Sequence, residues 1–472
     1  MKIRKVAFIE SKAPGNHIYS RYPVPRVGSV LLSTILSALG YEVKVYIEDL
    51  AKIDWQYVEN SDIVCISTIT PTATRAYKHA KRAQTLGIPV VMGGAHVSFM
   101  AEEALNYCDY VVRGEGDESI VELFNYLEKG SPDIKTIKGL SYRDKHGAVV
   151  NNESRPLLAS LDELPIPDVS LVQDFDKSII YPISLSRGCP FNCNFCSVIR
   201  VFGRRYRSKS IENSMAEIRK AASYPKKNIF FVDDNFTASK KRAKTLLKEM
   251  INENMKTEYN AQVRTDIAKD PELLELLAKS YCSTVYIGFE SINPKTLIEY
   301  NKGQGLQEIK DCIKAVKEHG IAIHGMFVLG ADNDEITTIR QTVDFAIEQG
   351  IDTIQLMILT PLPGTPFYND MLTSGRLIHQ DWAKFDAHHV TFKPMIMNPQ
   401  TLHMETLKAM GRFYSWKYIF RHMAKLDFFH VAVGLYGKHA VKQALIEAKE
   451  YLNVITQLLE TNNISEPNIS IQ

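Results

Sequence analysis

Three cysteines, Cys189, Cys193 and Cys196, fall within the stretch 186-SRGCPFNCNFCSV-198 of a chain that has seven. Thiolates on a short loop flanked by Gly188 and Pro190 suit a soft metal ion or an iron–sulfur cluster. A structural zinc site is closed by four ligands, usually as paired CxxC knuckles. Here the spacing is CxxxCxxC, and no fourth cysteine or histidine follows nearby. Two readings stand. One is zinc completed by a distant residue such as Cys282 or His324. The other is a cubane held by three thiolates, which keeps one iron open to an outside ligand.

The elements that must position this loop form two α/β alternations. In residues 1–135, strand candidates KVAFIE (5–10), VKVYIED (43–49), IVCIST (63–68), PVVMGG (89–94) and YVVRGEG (110–116) alternate with amphipathic stretches. This rhythm predicts a doubly wound, Rossmann-like parallel sheet, whose ligands sit beyond the carboxyl ends of the strands. Those ends read 67-STITPTAT-74, 93-GGAHVS-98 and 113-RGEGDES-119. They put Ser67, Thr68, Thr70, Gly93, Gly94, His96, Gly114, Glu115 and Gly116 on one edge, where small residues admit a ligand to the backbone. Any one of these loops alone is an ordinary βα connection; three on the same face make a binding edge.

Residues 136–178 read as a hairpin (GLSYRDKHGAVVNN) followed by a proline-punctuated linker (LDELPIPDVS). Residues 179–375 hold six more strand candidates: 181–186, 228–234, 259–266, 284–291, 321–330 and 353–361. Six βα repeats predict a partial (β/α)6 barrel of the TIM type, with its active face at the carboxyl ends of the strands. The cysteine loop follows the first of them, on that face. Residues 376–472 are mostly helical, and the tail ETNNISEPNISIQ looks frayed.

Bulk properties exclude other classes. A formal net charge of +2 argues against a nucleic-acid footprint over the surface, and RRYRSKS (204–210) reads as a solvated loop. No apolar run is long enough to span a bilayer, and the N-terminus lacks a signal-peptide core. FFHVAVGLYG suits core or interface better than lipid. An odd number of unevenly spaced cysteines does not make a disulfide framework, which places the chain in the reducing cytoplasm.

SRGCPFNCNFC, placed after the first strand of a βα series, resembles the signature of the radical S-adenosylmethionine (SAM) superfamily. The resemblance implies a [4Fe-4S] cluster on Cys189, Cys193 and Cys196, whose open iron binds the amino and carboxylate groups of SAM. One electron from the cluster then splits the sulfonium and releases a 5′-deoxyadenosyl radical. Asp233 and Asp234 in FVDDNF stand where the family contacts the methionyl amine, although the glycine-rich form of many members is absent. Glu290 in GFES matches the carboxylate that holds the ribose hydroxyls. Arg264 in QVRTD is placed to pair with the SAM carboxylate as a planar fork. Gly330 and LTPLPGTP sit where the family shapes the adenine pocket. Each of these charged residues also has a plain structural use as a helix cap or rim charge.

STIT, GGAH and RGEGDES, in that order, resemble the cobalamin-binding domain fused to one large subgroup of these enzymes. In that subgroup cobalamin spreads over the sheet edge and faces the barrel mouth. The DxHxxG pattern of histidine-ligated domains is absent, and 10-ESKAPGNH-17 does not supply it. The resemblance therefore implies no protein histidine beneath cobalt and makes His96 a loop residue of the edge. SGRLIHQDW, DAHHVTFKP and RFYSWKYIF resemble the tail common in cobalamin-dependent members.

Together these features imply a methylase acting on an unactivated carbon with a deoxyadenosyl radical and methylcobalamin. An electron donor such as flavodoxin or ferredoxin and a small, apolar substrate complete the expectation. The alternative keeps both cofactors but performs cyclisation, ring rearrangement or oxidation of a lipid, tetrapyrrole or natural product. A tRNA methylthiotransferase would carry a second cysteine triad, where this chain has only Cys65 and Cys108. A cobalamin or redox sensor would not need Glu290, Arg264 and six barrel strands.

Overall fold

Runs of β-branched and aromatic residues form five parallel strands: β1 (Lys5–Glu10), β2 (Glu42–Ile47), β3 (Ile63–Ser67), β4 (Val90–Gly93) and β5 (Tyr110–Val112). Helices cover both faces of such a sheet, so the strands are buried almost throughout rather than in alternation. The spatial order β2-β1-β3-β4-β5 reverses between β1 and β3, which opens a crevice beyond their carboxyl ends. The computed structural model describes residues 2–15, 24–224 and 226–461; Asn16, His17 and the tail from 462 onward lie outside these.

The hairpin β6 (Leu140–Arg143) and β7 (Val149–Asn151) does not stand apart as a linker element. It extends the first sheet, β6 pairing antiparallel with β5 and β7 with β6. The linker then returns along the opposite edge, where Gln173 donates to the Val45 carbonyl at 2.9 Å.

The second alternation builds β8 (Ile180–Ile183), β11 (Asn228–Phe231), β12 (Tyr259–Val263), β13 (Cys282–Glu290), β14 (Ala322–Leu329) and β15 (Thr353–Ile358). All five pairings are parallel and sequential, so the sheet is an open six-stranded barrel. Between β8 and β11, β9 (Ser186–Arg187) and β10 (Arg207–Ser208) form a short antiparallel ribbon.

Several strands stop earlier than their apolar runs suggest. Residues such as Asp233 and Arg264 leave the ladder at its carboxyl end and enter the loops of the active face.

The carboxy-terminal helices Pro399–Phe413, Trp416–Met423 and Phe428–Thr461 close the open edge at β15. The Tyr414 hydroxyl donates to the Ile354 carbonyl at 3.0 Å and accepts from its N–H at 3.1 Å. Tyr418 donates to the Asp352 carbonyl at 2.8 Å. Side chains thus satisfy part of an edge that would otherwise template pairing with another chain.

Candidate active site

The cysteine loop leaves β9 through Gly188, whose φ of +85° and crowding by the Arg205, Gly203 and Phe202 carbonyls leave no room for a side chain. Asn194 donates to the Tyr300 and Glu299 carbonyls, and Asn301 donates back to the Asn192 carbonyl at 2.9 Å. The Phe195 ring meets Tyr300 edge-on at 5.1 Å. The loop is therefore seated on residues 299–301 behind β13, a partner that nothing in its own sequence announces.

Among the described residues, only His422, Asp427 and His430 bring three possible ligand atoms within 4.8 Å of one another. The three cysteine sulfurs thus do not all lie within 4.8 Å of one another, whereas bonds of about 2.3 Å around one tetrahedral zinc would bring them to roughly 3.8 Å. Cys282 begins β13, eight residues before Glu290, which puts it roughly 26 Å from the active face. His324 also lies near the amino end of its strand, with its Nδ1 at 2.8 Å from the Thr353 hydroxyl. The reading as zinc completed by either residue is overturned. Burial pushes the Cys196 thiol up to about 11 and raises Cys189 as well, so deprotonation calls for a bound cation.

Asp233 and Asp234 diverge. Asp233 is buried and accepts hydrogen bonds from the Leu185 N–H and the Ser186 hydroxyl, which makes it an anchor for the approach to the cysteine loop. Asp234 faces an open cavity, reached by solvent yet deep between protein walls. Loss of bulk water there, reinforced by Asp233, pushes its carboxyl up to about 7. Among the described residues no cation pairs with it, so it suits an amine brought by a ligand.

Arg264 is buried with its guanidinium 3.6 Å above the Phe191 ring of the cysteine loop, and it donates to the Lys302 carbonyl. Glu290, held at a left-handed φ of +61°, forms a buried ion pair with Lys302 at 2.6 Å. A Cβ on Gly288 would collide with the Glu290 carboxylate, so that glycine is part of the pair. Lys302 carried no motif in the sequence. Gly330, at φ +101°, receives the Leu402 side chain of the carboxy-terminal region. Gly364 of LTPLPGTP receives the Phe99 ring of the first sheet's domain, so this segment also docks that domain.

A cavity of about 450 Å³ lies between the first sheet's carboxyl edge and the barrel. Ser67, Thr68, Gly93, Gly94, Gly114, Glu115 and Gly116 line its sheet side, while Arg187, Ser197, Lys209 and Asp234 are among those lining the barrel side. Gly94 has φ +102°, and a Cβ there would strike the Thr68 carbonyl. The floor is thus backbone and small side chains, a cradle suited to a broad planar ligand.

Thr70 and His96 do not line it. His96 is buried in a polar knot, its ring nitrogens at 3.2 Å from the Tyr77 hydroxyl and 3.4 Å from the Thr70 hydroxyl. It packs edge-on to Trp382, whose indole N–H donates to Glu103 at 2.8 Å. These two edge residues hold the carboxy-terminal segment to the first domain.

Glu115 lines the cavity, but its carboxylate is committed. Arg207 grips it with two hydrogen bonds of 2.8 and 2.9 Å, and Arg187 approaches at 3.2 Å. Arg187 also grips Asp117 at 2.7 and 3.0 Å. The joint between the two domains is therefore a buried set of bidentate pairs.

Residues 183–346 match the family model described as the radical SAM superfamily, and residues 17–124 match the B12 binding domain. An uncharacterized methyltransferase of Pyrococcus horikoshii is 34% identical over 376 residues, 78% of this chain and 81% of that one. The bacteriochlorophyllide d C-12(1)-methyltransferase of Chlorobaculum tepidum is 30% identical over 370 residues, 77% and 76% of the two chains. The solved structure of the cobalamin-dependent S-adenosylmethionine radical enzyme OxsB, with aqua-cobalamin and S-adenosylmethionine bound, superposes with a TM-score of 0.70. It covers 96% of this chain and 76% of that one at 15% identity, a likeness of fold.

Proposed function

The chain belongs to the cobalamin-dependent radical SAM enzymes, and from that premise we propose that it is a C-methyltransferase acting on an unactivated carbon of an apolar small molecule. The cofactors are a [4Fe-4S] cluster, SAM and cobalamin. When bound, cluster and SAM supply the hydrogen-abstracting radical, and cobalamin supplies the methyl group. The observation that carries the reading is the single cavity whose two walls are the glycine-floored sheet edge and the barrel face with Asp234. That placement supports transfer between two cofactors with water kept out.

The chain's own residues divide the work. Cys189, Cys193 and Cys196 hold the cluster, and Asp234 accepts the methionyl amine of SAM. Arg264, braced on Phe191, orients the SAM carboxylate, and Glu290, braced by Lys302, meets the ribose. Ser67, Thr68, Gly93, Gly94, Gly114 and Gly116 form the cobalamin edge. No helix of the described residues is long and apolar enough to cross a membrane. A cytoplasmic setting, with flavodoxin or ferredoxin as electron donor, completes the proposal.

The test is anaerobic incubation of the reconstituted full chain with SAM, a low-potential reductant and apolar tetrapyrrole or lipid acceptors. Equal 5′-deoxyadenosine and S-adenosylhomocysteine with a methylated product is expected. Deoxyadenosine with a cyclised or oxidised product and no S-adenosylhomocysteine would replace methylation with the alternative chemistry.

A further inference from the structure

The turn between the helices Trp416–Met423 and Phe428–Thr461 exposes large side chains that a soluble surface ordinarily covers. Leu426 is 74% exposed, Phe428 69%, Phe429 61%, Phe420 60% and Trp416 54%. Trp416 and Phe420 stack at 6.0 Å on the outer face of their helix, while Tyr418, Ile419 and His422 fill its inner face. The helix is thus apolar on both sides, one spent on the core and one unspent.

The corner is held by its own hydrogen bonds and close packing. His422 and His430 both place Nδ1 against one Asp427 oxygen, at 2.9 and 2.7 Å, and the His430 backbone N–H donates to the other at 3.2 Å. Gly434 lets the long helix approach so closely that a Cβ there would press on Tyr418 and Ile419. Leu426, a bulky residue at φ +57°, is held in a left-handed conformation that costs energy, at the most exposed point of the turn. Strain and exposure coincide there.

Charge decides what covers this surface. Residues 414–438 carry Lys417, Arg421, Lys425 and Lys438 against Asp427 as the one acid, and Asp427 is occupied by the two histidines. A two-fold pairing with a second copy would set cations against cations. Aromatic tips ringed by lysines match the headgroup region of an anionic bilayer, where rings insert and ammonium groups meet phosphates.

We propose that the corner bearing Trp416, Phe420, Leu426, Phe428 and Phe429 seats this enzyme on an anionic lipid surface. The contact is peripheral and does not depend on which carbon is methylated. The helix Phe428–Thr461 runs on to line a small cavity beside His389 and His403, so seat and interior share one element.

The reconstituted full chain should cosediment with vesicles of mixed phosphatidylglycerol and phosphatidylcholine, more weakly with phosphatidylcholine alone, and less as salt rises. Binding should blue-shift tryptophan emission, and Trp416→Phe should remove the shift. Phe428→Ser with Phe429→Ser, and separately Lys417→Glu with Lys425→Glu, should each weaken binding by more than about tenfold while thermal melting stays unchanged. Absence of binding to either vesicle, or binding that neither pair alters, overturns the proposal. So does a lipid-free dimer that Phe428→Ser with Phe429→Ser dissolves, which would assign the surface to a second copy.

Discussion

Neighbouring aspartates of like charge have opposite uses here. Asp233 spends both oxygens on the backbone and hydroxyl of residues 185 and 186, whereas Asp234 looks into the cavity with a carboxyl near neutrality. The ionised form of Asp234 is the stronger acceptor for the N–H groups of a metal-bound amine. SAM affinity of the cluster-loaded chain should therefore strengthen from pH 6 to pH 8, about the value near 7, and Asp234→Asn should weaken binding and flatten that profile; calorimetric titration reads both. Gly94→Ala pushes a Cβ into the Thr68 carbonyl at a φ that L side chains avoid. It should lower hydroxocobalamin affinity by at least about tenfold, seen in the corrin absorption, while the cluster spectrum stays intact.

At the level of elements, β9 and β10 are short and easily overlooked, yet they carry Arg187 and Arg207 into the joint with Glu115 and Asp117. Removing one partner of a buried pair strands the other charge. Glu115→Gln should cost about 3–5 kcal/mol in denaturant unfolding, more than the Arg207→Met and Glu115→Met pair together. The two α/β alternations and the cysteine loop were legible because they rest on local pattern: strand periodicity, loop position and ligand spacing. The interdomain joint was not, since 113-RGEGDES-119 and RRYRSKS are about 90 residues apart and each reads locally as an ordinary loop. For the same reason RRYRSKS looked solvated although Arg207 is buried. His96 and Thr70 share the sequence neighbourhood of the cavity residues, and only the placement of Trp382, from the far end of the chain, shows where they face. Lys302 gave no signal, because it lies twelve residues beyond Glu290 in a loop outside the strand that carries the carboxylate.

Across the molecule, buried neutral histidines tie stability to pH. Burial lowers His324 to about 4 and His403 to about 3, below the ordinary value of 6.5. Between pH 6.5 and 4 the unfolded chain takes up protons that the folded chain refuses, so stability falls as pH falls through that window. Melting temperature should drop over this range, and His403→Gln should shallow the slope. The first sheet and the barrel share one cavity, the sheet giving its glycine floor and the barrel Asp234, while the tail braces both, Trp382 against Glu103 and Leu402 against Gly330.

Arg207 also donates to the Phe202 carbonyl, beside the backbone that crowds Gly188 at the root of the cysteine loop, while its Glu115 partner lines the cavity at the first sheet's carboxyl edge. The cysteine loop and the sheet edge, the two cofactor sites proposed above, therefore hang from the same few buried hydrogen bonds. Ordering one end should lower the cost of ordering the other, and any linkage between cluster and corrinoid occupancy would then be an equal factor in each direction. Titrating hydroxocobalamin into cluster-free and cluster-loaded chain should give a tighter Kd for the loaded form, and Glu115→Gln should bring the two curves together.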